Sequence, residues 1–310
     1  MRYRVNPARL TGSIAPLITP FTAEGALDTP SLQRLVDWQI NAGSHGLSIG
    51  GSTSEPSSQT VDERIHAIEV VADAIDDRVP FIAGTGSAKL DETLALTAAA
   101  HRAGADAALV ITPYYARPTQ QALYEWYSRI ASEFPDLPII MYNVPSRTAV
   151  ELTPHTVARL HRDVANIVGI KETTKDFEHF SRVIDAADDG LLVWSGIELL
   201  CLPLLALGGI GYISATANIA PRASARMYEW WMAGDHDEAR RIHYALHPLV
   251  DLLFVETNPT TAKWVLESEG RISSAHVRPP LVETTAEGIS KIGQLLTDAD
   301  ALLTLEREVR

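Results

Sequence analysis

Eight short apolar runs, separated by stretches of helical pattern, limit what this chain can fold into more than any other feature. They cover residues 14–18, 46–49, 79–83, 107–111, 138–142, 167–170, 191–194 and 211–213. Their apolar character is continuous rather than alternating, which marks strands buried on both faces, the habit of a parallel sheet. Between the first two runs, Leu32, Leu35, Val36 and Ile40 recur at helical spacing, opened by Asp28-Thr29-Pro30 and closed by Gly43. Thr60-Val61-Asp62-Glu63 has the spacing of a capping box ahead of Ile65, Ile68, Ala72 and Ile75, and the pattern over 90–103 stops at Gly104. The step that closes a helix and opens a strand recurs at residues 42–46, 103–107 and 207–211, with a glycine at the same place each time. A doubly wound sheet usually stops at about six strands, so eight βα units predict a (β/α)8 TIM barrel over residues 1–233. Beyond Trp230-Trp231 no run of strand type remains, and residues 234–310 are expected to form a C-terminal helical appendage.

Charge narrows the list of partners. The chain of 310 residues carries 26 basic and 39 acidic side chains, a net −13 that repels nucleic acid and anionic lipid. The apolar run at 199–207 contains Pro203 and falls well short of the roughly 20 residues of a membrane span. The basic start, with Arg2, Arg4 and Arg9, is followed by no apolar stretch of signal-peptide length. A single cysteine, Cys201, permits no internal disulfide. These features predict a cytoplasmic protein with small-molecule substrates and neither membrane nor nucleic-acid partners.

Active sites of such barrels lie at the C-terminal ends of the strands, so the polar residues that follow each apolar run are the candidates. Lys171 stands out, because the chain has only five lysines and this one ends an otherwise apolar strand. A lysine removed from water favours its neutral amine, which can attack a ketone carbon and form a Schiff base. The alternative is an ion pair with Glu172 or another acid. Tyr142 can move protons if its phenol is bonded to hydroxyls such as those of Ser52, Thr53, Tyr114 or Tyr115, although rim packing is the stronger reading for at least one of the adjacent tyrosines, and Tyr114 is the one expected to pack. Gly50-Gly51-Ser52-Thr53 can present successive amides to a carboxylate, and Arg147 offers a planar fork for a second one, or a surface ion pair. Gly84-Thr85-Gly86 is a tight turn rather than a dinucleotide site, and Gly208-Gly209-Ile210-Gly211 precedes its strand, at the wrong end for phosphate. His243 and His247 lack a third ligand nearby and read as structural, so no metal site is expected.

Taken together, these residues resemble the dihydrodipicolinate synthase and N-acetylneuraminate lyase family of pyruvate-dependent class I aldolases. The likeness rests on Gly51-Ser52-Thr53-Ser54-Glu55, on the YNVPSRT stretch from Tyr142 to Thr148, and on Gly169-Ile170-Lys171-Glu172. Thr112-Pro113-Tyr114-Tyr115, Ser195-Gly196, Asn258-Pro259 with Lys263, and Arg278-Pro279-Pro280-Leu281 extend it over most of the chain. The resemblance implies that Lys171 forms an imine with pyruvate, whose carboxylate is held by Thr53 and the amides of Ser52 and Thr53. It implies that Tyr142 moves protons with Ser52 and with Tyr115 reaching in from a neighbouring subunit. It further implies a homo-oligomer, a dimer of dimers, with Gly196 and Ile213 lining the pyruvate site and Arg147 binding the carboxylate of aspartate semialdehyde. No cofactor beyond the covalent imine is implied. The activity expected is condensation of pyruvate with aspartate semialdehyde to 4-hydroxy-tetrahydrodipicolinate, on the route to lysine. The alternative is a 2-keto-3-deoxy sugar-acid aldolase or another 2-keto-acid lyase of the same family. Three positions depart from the synthase pattern: Ser52 replaces threonine, Ser54 the loop glycine and Ile197 an acid. Ser54 would disfavour any φ > 0 the loop required there. Val61 and Ala88 stand where feedback lysine would meet histidine and asparagine, which implies weak or absent inhibition by lysine.

Overall fold

The computed structural model describes residues 9–187 and 190–307; Arg2 and Arg4 lie outside them. Eight strands form in chain order: β1 (Gly12–Pro16), β2 (Gly46–Ile49), β3 (Phe81–Gly84), β4 (Ala107–Ile111), β5 (Ile139–Asn143), β6 (Ile167–Glu172), β7 (Leu192–Ser195) and β8 (Gly211–Ile213). Each pairs in parallel with the next, and β8 closes on β1 to complete the barrel. The first strand begins two residues before the apolar run suggests. Leu17 and Ile18 are fully buried, yet Leu17 N–H makes the final bond, to Ser48 C=O at 2.7 Å, and Ile18 N–H turns to the Asn218 side chain. Apolarity here reports burial beyond the ladder.

The helices start and stop for local reasons. Asp28 accepts from Ser31 N–H at 3.0 Å, and Thr60 and Glu63 cap each other's backbone at 2.9 and 3.2 Å. Gly43, Gly104 and Gly208 hold φ of 97°, 82° and 96°, the left-handed step that recurs between helix and strand.

Two apolar layers result. Ile14, Ile82, Leu109, Ile140, Tyr142 and Trp194 fill the barrel interior, while Leu47, Val71 and Phe81 belong to a layer between strands and outer helices. Trp194 plugs the lower end, its Nε1 donating to Leu10 C=O at 2.8 Å. After Trp230-Trp231 come five helices, His236–Ala245, His247–Leu253, Thr260–Ser268, Ala286–Asp298 and Asp300–Arg307. Their Leu252, Leu266 and Leu303 share one cluster with Ile18, Leu35 and Tyr212 of the barrel. Glu306 adds a polar tie, accepting from the amides of Arg222 and Ala223 at 3.0 and 2.6 Å at the start of helix Pro221–Met232.

Several polar and reactive groups take structural places. The rings of His243 and His247 meet edge to face at 5.2 Å, and no group of three or more His, Cys, Asp or Glu suited to a metal occurs among the described residues. Cys201 is buried, and no helix of the described residues is long and apolar enough to cross a membrane.

Gly84 serves close approach. At the mouth of β2, Gly50 has φ of 82°, and a Cβ on it would lie 2.4 Å from the Gly84 carbonyl oxygen; a Cβ on Gly84 would meet the Gly50 carbonyl carbon at the same distance. Gly50→Ala is therefore expected to lower the free energy of unfolding by about 2 kcal/mol or more, read as an earlier midpoint in urea. A midpoint within error of wild type would remove the crowding argument.

Candidate active site

Strand register brings the central pair together. Tyr142 on β5 lies directly beside Lys171 on β6, and Lys171 in turn beside Trp194 on β7. Lys171 is 5% exposed, with its Nζ 4.5 Å from the centre of the Tyr142 ring. Successive strand residues face opposite sides of a sheet, so Glu172 points away from the amine. Its carboxylate accepts from Asn143 Nδ2 at 3.0 and 2.9 Å and from the amides of Thr173 and Thr174 at 2.9 Å. The ion pair open to Lys171 on sequence grounds is absent: no described acid lies within salt-bridge distance of it. Gly196 explains how the amine's stem fits, because a Cβ there would sit 2.6 Å from Lys171 Cε.

The loop after β2 supplies the opposite wall. Residues Ser52–Ser54 form one 3₁₀ turn, closed by Ser54 N–H to Gly51 C=O at 2.9 Å and Glu55 N–H to Ser52 C=O at 3.4 Å. The amides of Ser52 and Thr53 lead that turn and are not consumed by it. Ser52 Oγ and Tyr142 Oη are 3.2 Å apart, a hydrogen bond between two groups that can each donate. Ser54 needs no left-handed backbone; the positive φ, 55°, falls on Glu55 instead. The Ser54 hydroxyl accepts from Gly50 N–H at 2.9 Å and donates to Leu17 C=O at 2.7 Å, so the residue that departs from glycine ties the loop to β1.

One cavity of about 90 Å³ gathers seven of the eight residues singled out from sequence: Ser52, Thr53, Tyr142, Arg147, Lys171, Gly196 and Ile213. That size suits a small substrate, being below the usual range for drug-sized ligands. Arg147 stands exposed at its mouth, with no carboxylate partner among the described residues, so the surface ion pair is not formed. Tyr115 is the exception: it is 94% exposed, has φ of 75° and does not line the cavity within this chain. Tyr114 instead lines an adjoining chamber of about 230 Å³, which Tyr142 and Arg147 also border.

Among the lining residues with no role assigned from sequence are Glu198 and Asn258. Burial pushes the Glu198 carboxyl up, against the amides of Glu198 and Ala215 that favour its charged form. Asn258 Nδ2 donates to Thr53 Oγ at 3.0 Å, across 205 residues of chain. Its identity as part of an Asn-Pro match was visible, but its reach into a barrel loop was not.

Behind Glu172 sits His179, its Nε2 3.2 Å from Glu172 Oε2 and its Nδ1 3.8 Å from Glu151. Burial pulls the ring down, but the hydrogen bond and charge of Glu172, helped by Glu151 and Asp176, outweigh it and leave the ring above its ordinary value. A histidine raised in the folded state gives its full stabilisation below the unfolded value of about 6.5 and loses it as pH climbs through the folded value. His179→Gln is expected to flatten the fall of Tm with pH above about 6.5 relative to wild type. Parallel pH profiles would exclude the pair as a stabilising contact.

Comparison with known proteins agrees with this arrangement. The family model described as "Dihydrodipicolinate synthetase family" matches residues 9–299. A 4-hydroxy-tetrahydrodipicolinate synthase of Thermus thermophilus is 45% identical over 297 residues, covering 96% of this chain and 98% of that one. Among solved structures, dihydrodipicolinate synthase from Aquifex aeolicus superposes with a TM-score of 0.90 at 38% identity, over 94% of this chain and 98% of its own. The enzyme from Acinetobacter baumannii, described as chloride inhibited and complexed with pyruvate, gives 0.89 at 38% identity over 94% and 99%. With a barrel, a buried unpaired lysine and matches of this extent, the chain belongs to the dihydrodipicolinate synthetase family.

Proposed function

We propose that this enzyme condenses pyruvate with aspartate semialdehyde to 4-hydroxy-tetrahydrodipicolinate through a Schiff base on Lys171. The observation that carries the reading is an amine buried beside Tyr142 with its sequence neighbour Glu172 fully engaged elsewhere. The Lys171 amine adds to C2 of pyruvate and water leaves, giving an imine; the Ser52 and Thr53 amides and the Thr53 hydroxyl hold the carboxylate. The imine draws electrons from the methyl carbon, which loses a proton to the Tyr142–Ser52 pair and becomes an enamine. That carbon attacks the aldehyde, the Tyr142–Ser52 pair returns a proton to the new alkoxide, and Arg147 orients the acceptor by its carboxylate. The acceptor's amino group then replaces Lys171 at the imine carbon, closing the ring and freeing the enzyme. Gly196 leaves room for the lysine stem, and Ile213 supplies an apolar wall.

The exposure and backbone of Tyr115 support a homo-oligomer in which this phenol joins the Tyr142–Ser52 pair of a neighbouring copy, and the assembly proposed is a dimer of dimers. Within each copy, residues 1–233 are the barrel and 234–310 the helical appendage. The chemistry needs no metal or cofactor, the setting is cytoplasmic, and Val61 and Ala88 leave lysine a weak inhibitor or none.

Cleavage of a 2-keto-3-deoxy sugar acid is the second reading, favoured by serine rather than threonine at position 52. Incubation with pyruvate and borohydride is expected to leave a reduced adduct at Lys171 by peptide mass mapping, and none in Lys171→Ala; an unmodified Lys171 would end both readings. Arg147→Ala is expected to raise the aldehyde KM on the order of ten- to a hundredfold while the pyruvate KM changes little. Equal changes in both, or release of pyruvate from sugar acids without condensation, would favour the second reading.

A further inference from the structure

A buried ionic cluster ties the C-terminal helices to the loop after β2. Lys263, on helix Thr260–Ser268, is 0% exposed, and Glu55, at the end of the loop, is 4% exposed. Lys263 Nζ is paired with Glu55 Oε1, donates to His276 C=O at 2.9 Å and lies 4.1 Å from the centre of the Phe21 ring. The other Glu55 oxygen accepts from Arg278 N–H at 3.1 Å, and the Arg278 guanidinium runs on to Gly25 C=O, Ser58 C=O and Glu63. Asn258 meanwhile bonds Thr53, so the turn is gripped at both ends from one distant segment. A buried ion pair is a poor source of net stability compared with apolar packing, and its best-attested use is to fix one arrangement over its neighbours.

We propose that Lys263 and Asn258 are positioning residues, which hold the Ser52–Ser54 turn and the Glu55 that follows it where the Thr53 hydroxyl and the leading amides meet the carboxylate of the keto acid. The proposal rests on the reading of Lys171 and the loop as the pyruvate site. Lys263 does not line the cavity, and Asn258, which borders it, is committed to Thr53; each acts through the loop. Asn258 Oδ1, buried and without a hydrogen-bond partner, leaves the amide with one committed contact, the one to Thr53.

The latch has a pH signature. Burial brings Lys263 down to about 8, opposed by Glu55 and assisted by Arg278, the charged groups that face it, with Glu63 lying beyond Arg278. Between that value and the lysine's ordinary one the folded chain holds fewer protons than the unfolded chain, so this group does not lower global stability as pH rises. What is lost as pH rises through about 8 is the grip on Glu55.

The test measures the pyruvate concentration that half-saturates borohydride trapping at Lys171, which needs no aldehyde. Lys263→Met and Asn258→Ala are expected to raise it on the order of tenfold, with the trapped fraction at saturating pyruvate retained. In wild type the value is expected to climb above about pH 8, a climb that is missing in Lys263→Met. Should Lys263→Met fail to fold, Asn258→Ala, which leaves the ion pair intact, and the wild-type pH series carry the same reading. Wild-type half-saturation in the folded variants, or a flat wild-type series, overturns the latch and leaves Lys171 standing. Absence of any adduct in wild type overturns the Lys171 reading and the latch with it.

Discussion

Everything chemical in this barrel depends on the two-residue period of β6. That period sends Lys171 into the lumen and Glu172 to the other face, where Asn143, the amides of Thr173 and Thr174, and His179 occupy its carboxylate. Had the acid pointed inward, the pair would have been a structural salt bridge. A buried amine without an ion-pair partner, with Glu198 acting on it only through charge from across the cavity, is costly, and such groups concentrate at functional sites. The cost is met by the surrounding packing, which places the amine against an aromatic face and beside a glycine that yields space for its stem.

Glycine and serine do related work around the mouth. Gly50 and Gly84 let two strand ends approach more closely than any side chain permits, which fixes where the following loop departs. Ser54 then anchors that loop to β1 with one hydroxyl used twice. The loop's far end is set from the C-terminal helices, so the candidate site is a joint product of the barrel and the segment that follows it.

The barrel was legible because strands buried on both faces are written as unbroken apolar runs, and all eight runs correspond to strands. The ends were less so, since Leu17 and Ile18 are core residues beyond the end of β1, where Leu17 makes the last ladder bond and Ile18 none. Lys171, Tyr142, Ser52 and Arg147 could be found because position after a strand selects them directly. Adjacent numbering made Glu172 look like a natural partner for Lys171, and only strand geometry separates them. Asn258 and Lys263 could be noted as part of a motif, but their contacts were hidden for a different reason: their partners are distant in sequence, and no local pattern encodes contact across 205 residues. Tyr115 finds no side-chain partner among the described residues of one chain, so its place follows from neither pattern nor monomer.

Trp194 seals the lower end of the barrel, with Leu10 beneath it and Gly169 shaved to admit its ring. A vessel closed at one end imposes an order on its traffic. Reactants that reach the amine enter by the same open mouth, where Arg147 stands, so the molecule that bonds to the amine has to be seated before the one that joins it, and the two leave together as one.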